Sequence, residues 1–201
     1  MYKTNLNSPL AKAMYVATVT AFCTFLGCWA VLAHQEISHA QSRATVSDEQ
    51  FAKKAAQGGM AEVKMGQLAE EKGTNESVKR FGERMVEDHT KANDELKEAA
   101  QKENVTLSAD LDAKDKATYD ALAKLSGTAF DKAYARDMVK DHQEDIAEFN
   151  REAKGGQKEA IKSFAAGALP ILNDHLKEAR EMQRSVSGTK ATSSNGTGDH
   201  R

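Results

Sequence analysis

The stretch NESVKRFGERMVEDHTKANDELKEAAQKEN, residues 75–104, decides the fold. Val78, Phe81, Met85, Ala92, Leu96 and Ala99 recur at the spacings of one face of an α-helix, with charged residues between them. The pattern predicts a long amphipathic helix from near Asn75 to about Glu103, closed by Asn104.

Reading outward, the same period returns three times. Upstream, Ser47-Asp48-Glu49-Gln50 is a capping box, in which hydroxyl and amide satisfy opposite orphan amides. A first helix runs from it to about Lys72 and stops at Gly73, which takes the left-handed conformation without steric cost. Downstream, Val105 to Leu125 reads as a crossover with a short helix carrying Tyr119, Leu122 and Leu125, interrupted by Gly127. Thr128-Ala129-Phe130-Asp131 opens a third long helix, with Phe130, Tyr134, Met138, Ile146 and Phe149 inward, ending at Gly155-Gly156. The fourth begins near Gln157 and ends around Ser185, with Ile161, Phe164, Ala168, Ile171, Ala179 and Met182 on its stripe. Pro170 inside it removes a backbone donor and predicts a kink. Long helices, short loops and one longer crossover specify an all-α four-helix bundle over residues 47–184. Residues 185–201, rich in Ser, Thr and Gly, predict a disordered tail.

Composition agrees. Among 201 residues, 28 Lys and Arg face 30 Asp and Glu, a balance without the basic footprint of a nucleic-acid binder. A hydrophobic content of 40% excludes an acidic disordered chain. Two prolines and 6% aromatics disfavour a sandwich or barrel.

The amino terminus reads as a targeting segment. Lys3 and Lys12 precede Ala13 to Ala33, which carries no charge, and Ser38-His39-Ala40 offers a small-x-small cleavage site. Residues 1–40 are therefore read as a signal peptide, with the mature chain beginning at Gln41 in the periplasm or cell envelope. Two alternatives stand: an uncleaved inner-membrane anchor through residues 13–33, long enough to span a bilayer, and a lipoprotein acylated at Cys28. Cys23 and Cys28 both lie in this segment, so the exported part has no disulfide, zinc finger or thiol nucleophile. It keeps 26 basic against 29 acidic residues.

The chemistry lies in the histidines. Three follow an aspartate inside helices: Asp88-His89, Asp141-His142 and Asp174-His175. Two belong to an internal repeat at offset 53, Met85-Val86-Glu87-Asp88-His89 and Met138-Val139-Lys140-Asp141-His142. At about 100° per residue, His142 and His175 fall on their apolar stripes, while Asp88 and His89 straddle theirs. On the first helix Glu62 lies in line with Phe51, Ala55 and Ala69, with Gly58 and Gly66 leaving room for a close approach. Glu62, His89, His142 and His175 thus form a candidate metal site, one residue per helix, of a kind that suits Zn, Fe, Cu or Ni. Asp88, Asp141 and Asp174 point too far round to hold their own histidines and are placed to orient one on an adjacent helix. The rival reading is a buried hydrogen-bonded network that fixes helix register. The methionines at 60, 65, 85, 138 and 182 read as core filler, not a copper ladder, and the Gly-Gly pairs follow no strand that would make them phosphate loops.

Glu62-Val63-Lys64-Met65-Gly66-Gln67-Leu68-Ala69, the two Met-Val-x-Asp-His stretches, Phe130-Asp131-Lys132-Ala133-Tyr134, and Leu169-Pro170 followed by His175 resemble one family. It is the exported bacterial family known as domain of unknown function 4142, whose members are often labelled membrane or outer-membrane proteins. The resemblance spans about residues 47–184 and implies a ferritin-like four-helix bundle, without an established activity. The Glu-x-x-His pairs of ferritin-like di-iron proteins do not occur here. Val86, Val139 and Leu172 stand three residues before the histidines, and His142-x-x-Asp145 and His175-x-x-Glu178 run in the opposite sense.

These observations support an exported, non-enzymatic envelope bundle acting as a stress-related binding module, with a transition metal held at the Glu/His cluster. Its partners are then a metal ion or envelope proteins, with no nucleic acid. A structural or interaction bundle is the alternative from another class, and a non-heme metalloenzyme is the third reading.

Overall fold

Apolar stripes on four long helices leave the chain one way to bury them, which is against one another. The computed structural model describes residues 48–188. Five helices follow in order: α1 (residues 48–72), α2 (Glu76–Lys102), α3 (Ala113–Ala123), α4 (Gly127–Gly155) and α5 (Glu159–Val186). They form an all-helical bundle, with the short α3 in the crossover between α2 and α4. The signal-peptide reading, Ser47 of the capping box, and the tail beyond residue 188 lie outside the described residues. No helix among the described residues is long and apolar enough to cross a membrane.

The apolar interior divides into two clusters. One joins Met65 and Leu68 of α1, Phe81 and Met85 of α2, Phe130, Tyr134 and Met138 of α4, and Ala179 and Met182 of α5. The other joins Phe51 and Ala56, Leu96 and Ala99, Phe149, and Ile161, Ala165 and Leu172 from the same four helices. The order in which each helix visits them gives its direction: α1 and α5 run one way, α2 and α4 the other. Burying a side chain such as Phe130 or Met138 contributes about 1.5–3 kcal/mol. Met60 is only half-buried, while Met65, Met85, Met138 and Met182 are in the core.

Two buried aspartates tie helix ends across the bundle. Asp131 of α4 accepts bonds from the Thr74 and Asn75 amides and the Thr74 hydroxyl, at the start of α2. Asp48 of α1 accepts from the Gln157 and Lys158 amides at 2.8 and 2.6 Å, at the start of α5. Negative charge at a helix N-terminus meets orphan donors and the positive end of the dipole. Asp48 therefore holds the turn that leads into α5, while the first-turn amide of Ala160 donates to Glu103 Oε1 at 2.9 Å, so the cap of α5 comes from the end of α2.

Local readings shift where packing intervenes. Gly73 is not left-handed; among the described residues positive φ occurs at Asn104 (55°), Gly127 and Gly188. A Cβ at Gly73 would stand 2.5 Å from the Ala69 carbonyl and 3.0 Å from Val78 Cγ1, so the glycine serves a close approach. Gly58 has open space beside it, whereas Gly66 and Gly82 meet each other. A Cβ on either would lie 2.7 Å from the other's carbonyl oxygen, so α1 and α2 are in near-backbone contact. α4 starts at Gly127 with Ser126 as N-cap and no side-chain cap bond, so Thr128 is not its cap. Ile171 is 43% exposed, because Leu172 takes the inward position on α5. α5 continues through the exposed Pro170.

Candidate metal centre

Between the two apolar clusters each long helix places one buried polar side chain: Glu62 on α1, His89 on α2, His142 on α4 and His175 on α5. Their positions follow from the stripes, each lying one to two turns from large apolar residues on the same face. Ring centroids of His175 lie 5.4 Å from His89 and 5.3 Å from His142, and one ring nitrogen from each histidine falls within 4.8 Å of the others. Phe81 closes one side, its ring edge-on to His142 and His175 at 6.1 and 6.4 Å.

A chain of contacts runs through the site. His142 Nδ1 lies 2.9 Å from the Met138 carbonyl oxygen, His142 Nε2 lies 3.3 Å from His175 Nδ1, and His175 Nε2 lies 2.8 Å from Asp88 Oδ2. Both ends of this chain are acceptors without a proton to give. Three contacts need three protons, and two neutral imidazoles carry two. Donation to the carbonyl and to the carboxylate uses both. The nitrogens facing each other across 3.3 Å are then two lone pairs, and that gap calls for a cation, either a third proton or a metal ion.

Glu62 completes the layer. Its Oε2 is 2.9 Å from His89 Nε2 and its Oε1 is 3.5 Å from His142 Nδ1. Neither approach is aligned as a hydrogen bond, so both carboxylate oxygens and His89 Nε2 are buried without an aligned partner. The attraction to His89 is nonetheless ionic. Burial works to raise Glu62, but the charges of His89 and His142 override it and hold the carboxyl below its usual range. Burial likewise opposes charge on His89, and Glu62 overrides it, so His89 stands above its ordinary value. The other two go the opposite way. Burial pushes His142 down and pushes His175 down to about 4, which leaves both neutral near pH 7.

The three aspartates beside the histidines have separate fates. Asp88 reaches across to His175, and Arg84 one turn earlier holds it at 3.1 Å, with a second guanidinium nitrogen bonded to Glu178. Asp141 holds no histidine. One oxygen each from Glu62, Asp141 and Asp145 lie within 4.8 Å of one another. Asp174 is exposed.

Asp145, Arg84 and Glu178 were not among the expected site residues. The His-x-x-Asp and His-x-x-Glu spacings carried the signal for Asp145 and Glu178, since a residue three places on shares the histidine's side of the helix. Arg84 has only its i, i+4 spacing to Asp88 to mark it. Burial and the neighbouring Glu62 push Asp141 up to about 7, and burial, Glu62 and Asp141 push Asp145 well above the carboxylate range. A cavity of about 50 Å³ lined by Glu62, His89, Asp145, Asn93 and Glu148 reaches this cluster, with room for more than one water. Lys54 and Glu148 pair at 2.8 Å at its border.

Fold and donor set together define a helical bundle whose core is interrupted by one layer of imidazole and carboxylate groups. Residues 33–182 match the family described as a domain of unknown function (DUF4142), and the chain belongs to that family. No curated protein and no solved structure matches it.

Proposed function

We propose that this chain is an exported protein of the bacterial envelope whose bundle binds a divalent transition-metal ion through His89, His142 and His175, with Glu62 as the charged ligand. The observation that carries the reading is the proton shortage between His142 Nε2 and His175 Nδ1. A metal in tetrahedral coordination with metal–nitrogen bonds of 2.0–2.1 Å separates two ligand nitrogens by about 3.3 Å. The gap has that width. Imidazole donors suit Zn, Cu, Fe and Ni. Asp88, clamped by Arg84, fixes the tautomer of His175 so that its Nδ1 lone pair faces inward. Export is supported by Lys3, Lys12, the uncharged run 13–33 and the Ser38-His39-Ala40 site. Two pairs of like-directed helices, α1 with α5 and α2 with α4, joined by one long crossover, support a ferritin-like reading of the topology. The role assigned is binding and retention, not catalysis.

Elemental analysis of the full chain, purified without a histidine tag, tests this. At least one transition-metal ion per chain is expected, retained by wild type and lost from His175→Ala. A chain that carries none and takes up none from Zn²⁺-containing buffer is a structural bundle, with its Glu62–His89 and Asp88–His175 pairs serving register alone.

A further inference from the structure

We infer that a second divalent cation binds beside the first, held by Glu62, Asp141 and Asp145, with Glu62 shared between the two. The inference rests on the metal-binding reading above and extends it from one ion to a pair. One oxygen from each of the three carboxylates lies within 4.8 Å of the other two, a spacing from which one cation can gather all three with small side-chain movements. Glu62 is 1% exposed, both of its oxygens lack an aligned hydrogen bond, and it faces the histidines and the aspartates alike. Two oxygens and two directions make it a bridge.

Lys114 is the ammonium that bears on Asp141, and it is shared with another carboxylate, Glu144, at 2.8 Å. His89, as a ligand of the first ion, is neutral and brings no charge of its own to the carboxylates. Three carboxylates this close cannot all be charged at low dielectric without protons or a cation among them, and a cation can take the place of those protons. The cavity bordered by Glu62, Asp145 and Glu148 gives that cation space and water to complete its shell. An all-oxygen set of this kind suits a harder ion than the imidazoles do, such as Mn²⁺ or Fe²⁺.

The test is metal stoichiometry by equilibrium dialysis of the full, untagged chain against Zn²⁺ followed by Mn²⁺. Wild type is expected to hold two ions, and Asp145→Asn one, with Asp141→Asn as a second variant at the same site. Circular dichroism of each variant confirms a folded helical chain, which isosteric Asn should preserve. The histidine-bound Zn²⁺ should remain in both variants, while Mn²⁺ affinity falls at least about tenfold. One ion in wild type and one in Asp145→Asn would overturn the second site and leave the histidine site standing. Two ions in all three proteins would place the second ion elsewhere and overturn it as well. No ion in any of them would remove both readings.

Discussion

The two copies of Met-Val-x-Asp-His, on α2 and α4, put the same side chains to different uses. His89 on α2 meets a carboxylate, Glu62 of α1, while His142 on α4 meets another imidazole, His175 of α5. Asp88 crosses to His175, while Asp141 is packed against Glu62 and Asp145. Their surroundings explain the divergence. Four residues before Asp88 stands Arg84, which clamps it, and four before Asp141 stands Asp137 at the repeat-equivalent position. Three residues after His89 is Ala92, and three after His142 is Asp145. One copy therefore makes an ordered support for a histidine and the other a pocket of carboxylates. A motif specifies direction on a helix, and its chemistry is set by what the neighbouring helices present.

The sharpest way to break this comparison is to neutralise each aspartate in turn. In the metal-free chain, Asp88→Asn loses the charged acceptor shared by His175 and Arg84 and is expected to cost about 1–3 kcal/mol. Asp141→Asn removes a carboxylate from beside two others, and its denaturant midpoint should equal or exceed that of wild type. Equal losses in the two variants would mean that the repeats are equivalent after all.

A smaller effect is expected at the bundle end where Asp48 holds the turn before α5. Asp48 has Glu152 near it, and burial together with Asp48 pushes the Glu152 carboxyl up to about 7 from 4.5. A raised carboxyl keeps its proton longer in the folded chain than in the unfolded one. Its contribution is fully present below 4.5 and is lost as pH rises through about 7, so stability falls across that window. Glu152→Gln should flatten the decline in thermal melts between those pH values. An unchanged slope would show that Glu152 is not the group responsible.

The fold was legible because four apolar stripes, each several turns long, leave little freedom in what packs against what. Helix ends were less so. The start of α5 is held by Asp48 and Glu103 of other helices, and no local pattern reports that. Gly66 was readable as a close approach but its partner Gly82 was not, since the contact belongs to the crossing of two helices. The inward course of Glu62, His142 and His175 followed from counting around the wheel, while His89, on the edge of its stripe, was settled by the approach of α1. Asp145 and Arg84 acquire their meaning only across helices, from Glu62 and from His175 with its Asp88. Sequence periodicity reports the face of a residue and not what faces it.

Melting curves of wild type and His142→Ala, each with and without Zn²⁺, test the central claim most directly, because His142 supplies one side of the 3.3 Å gap. With Zn²⁺ at a hundredfold above its Kd, wild type should melt about 5–10 °C higher and His142→Ala should not respond. An equal rise in both proteins, or none in wild type, would contradict a metal ion between His142 and His175.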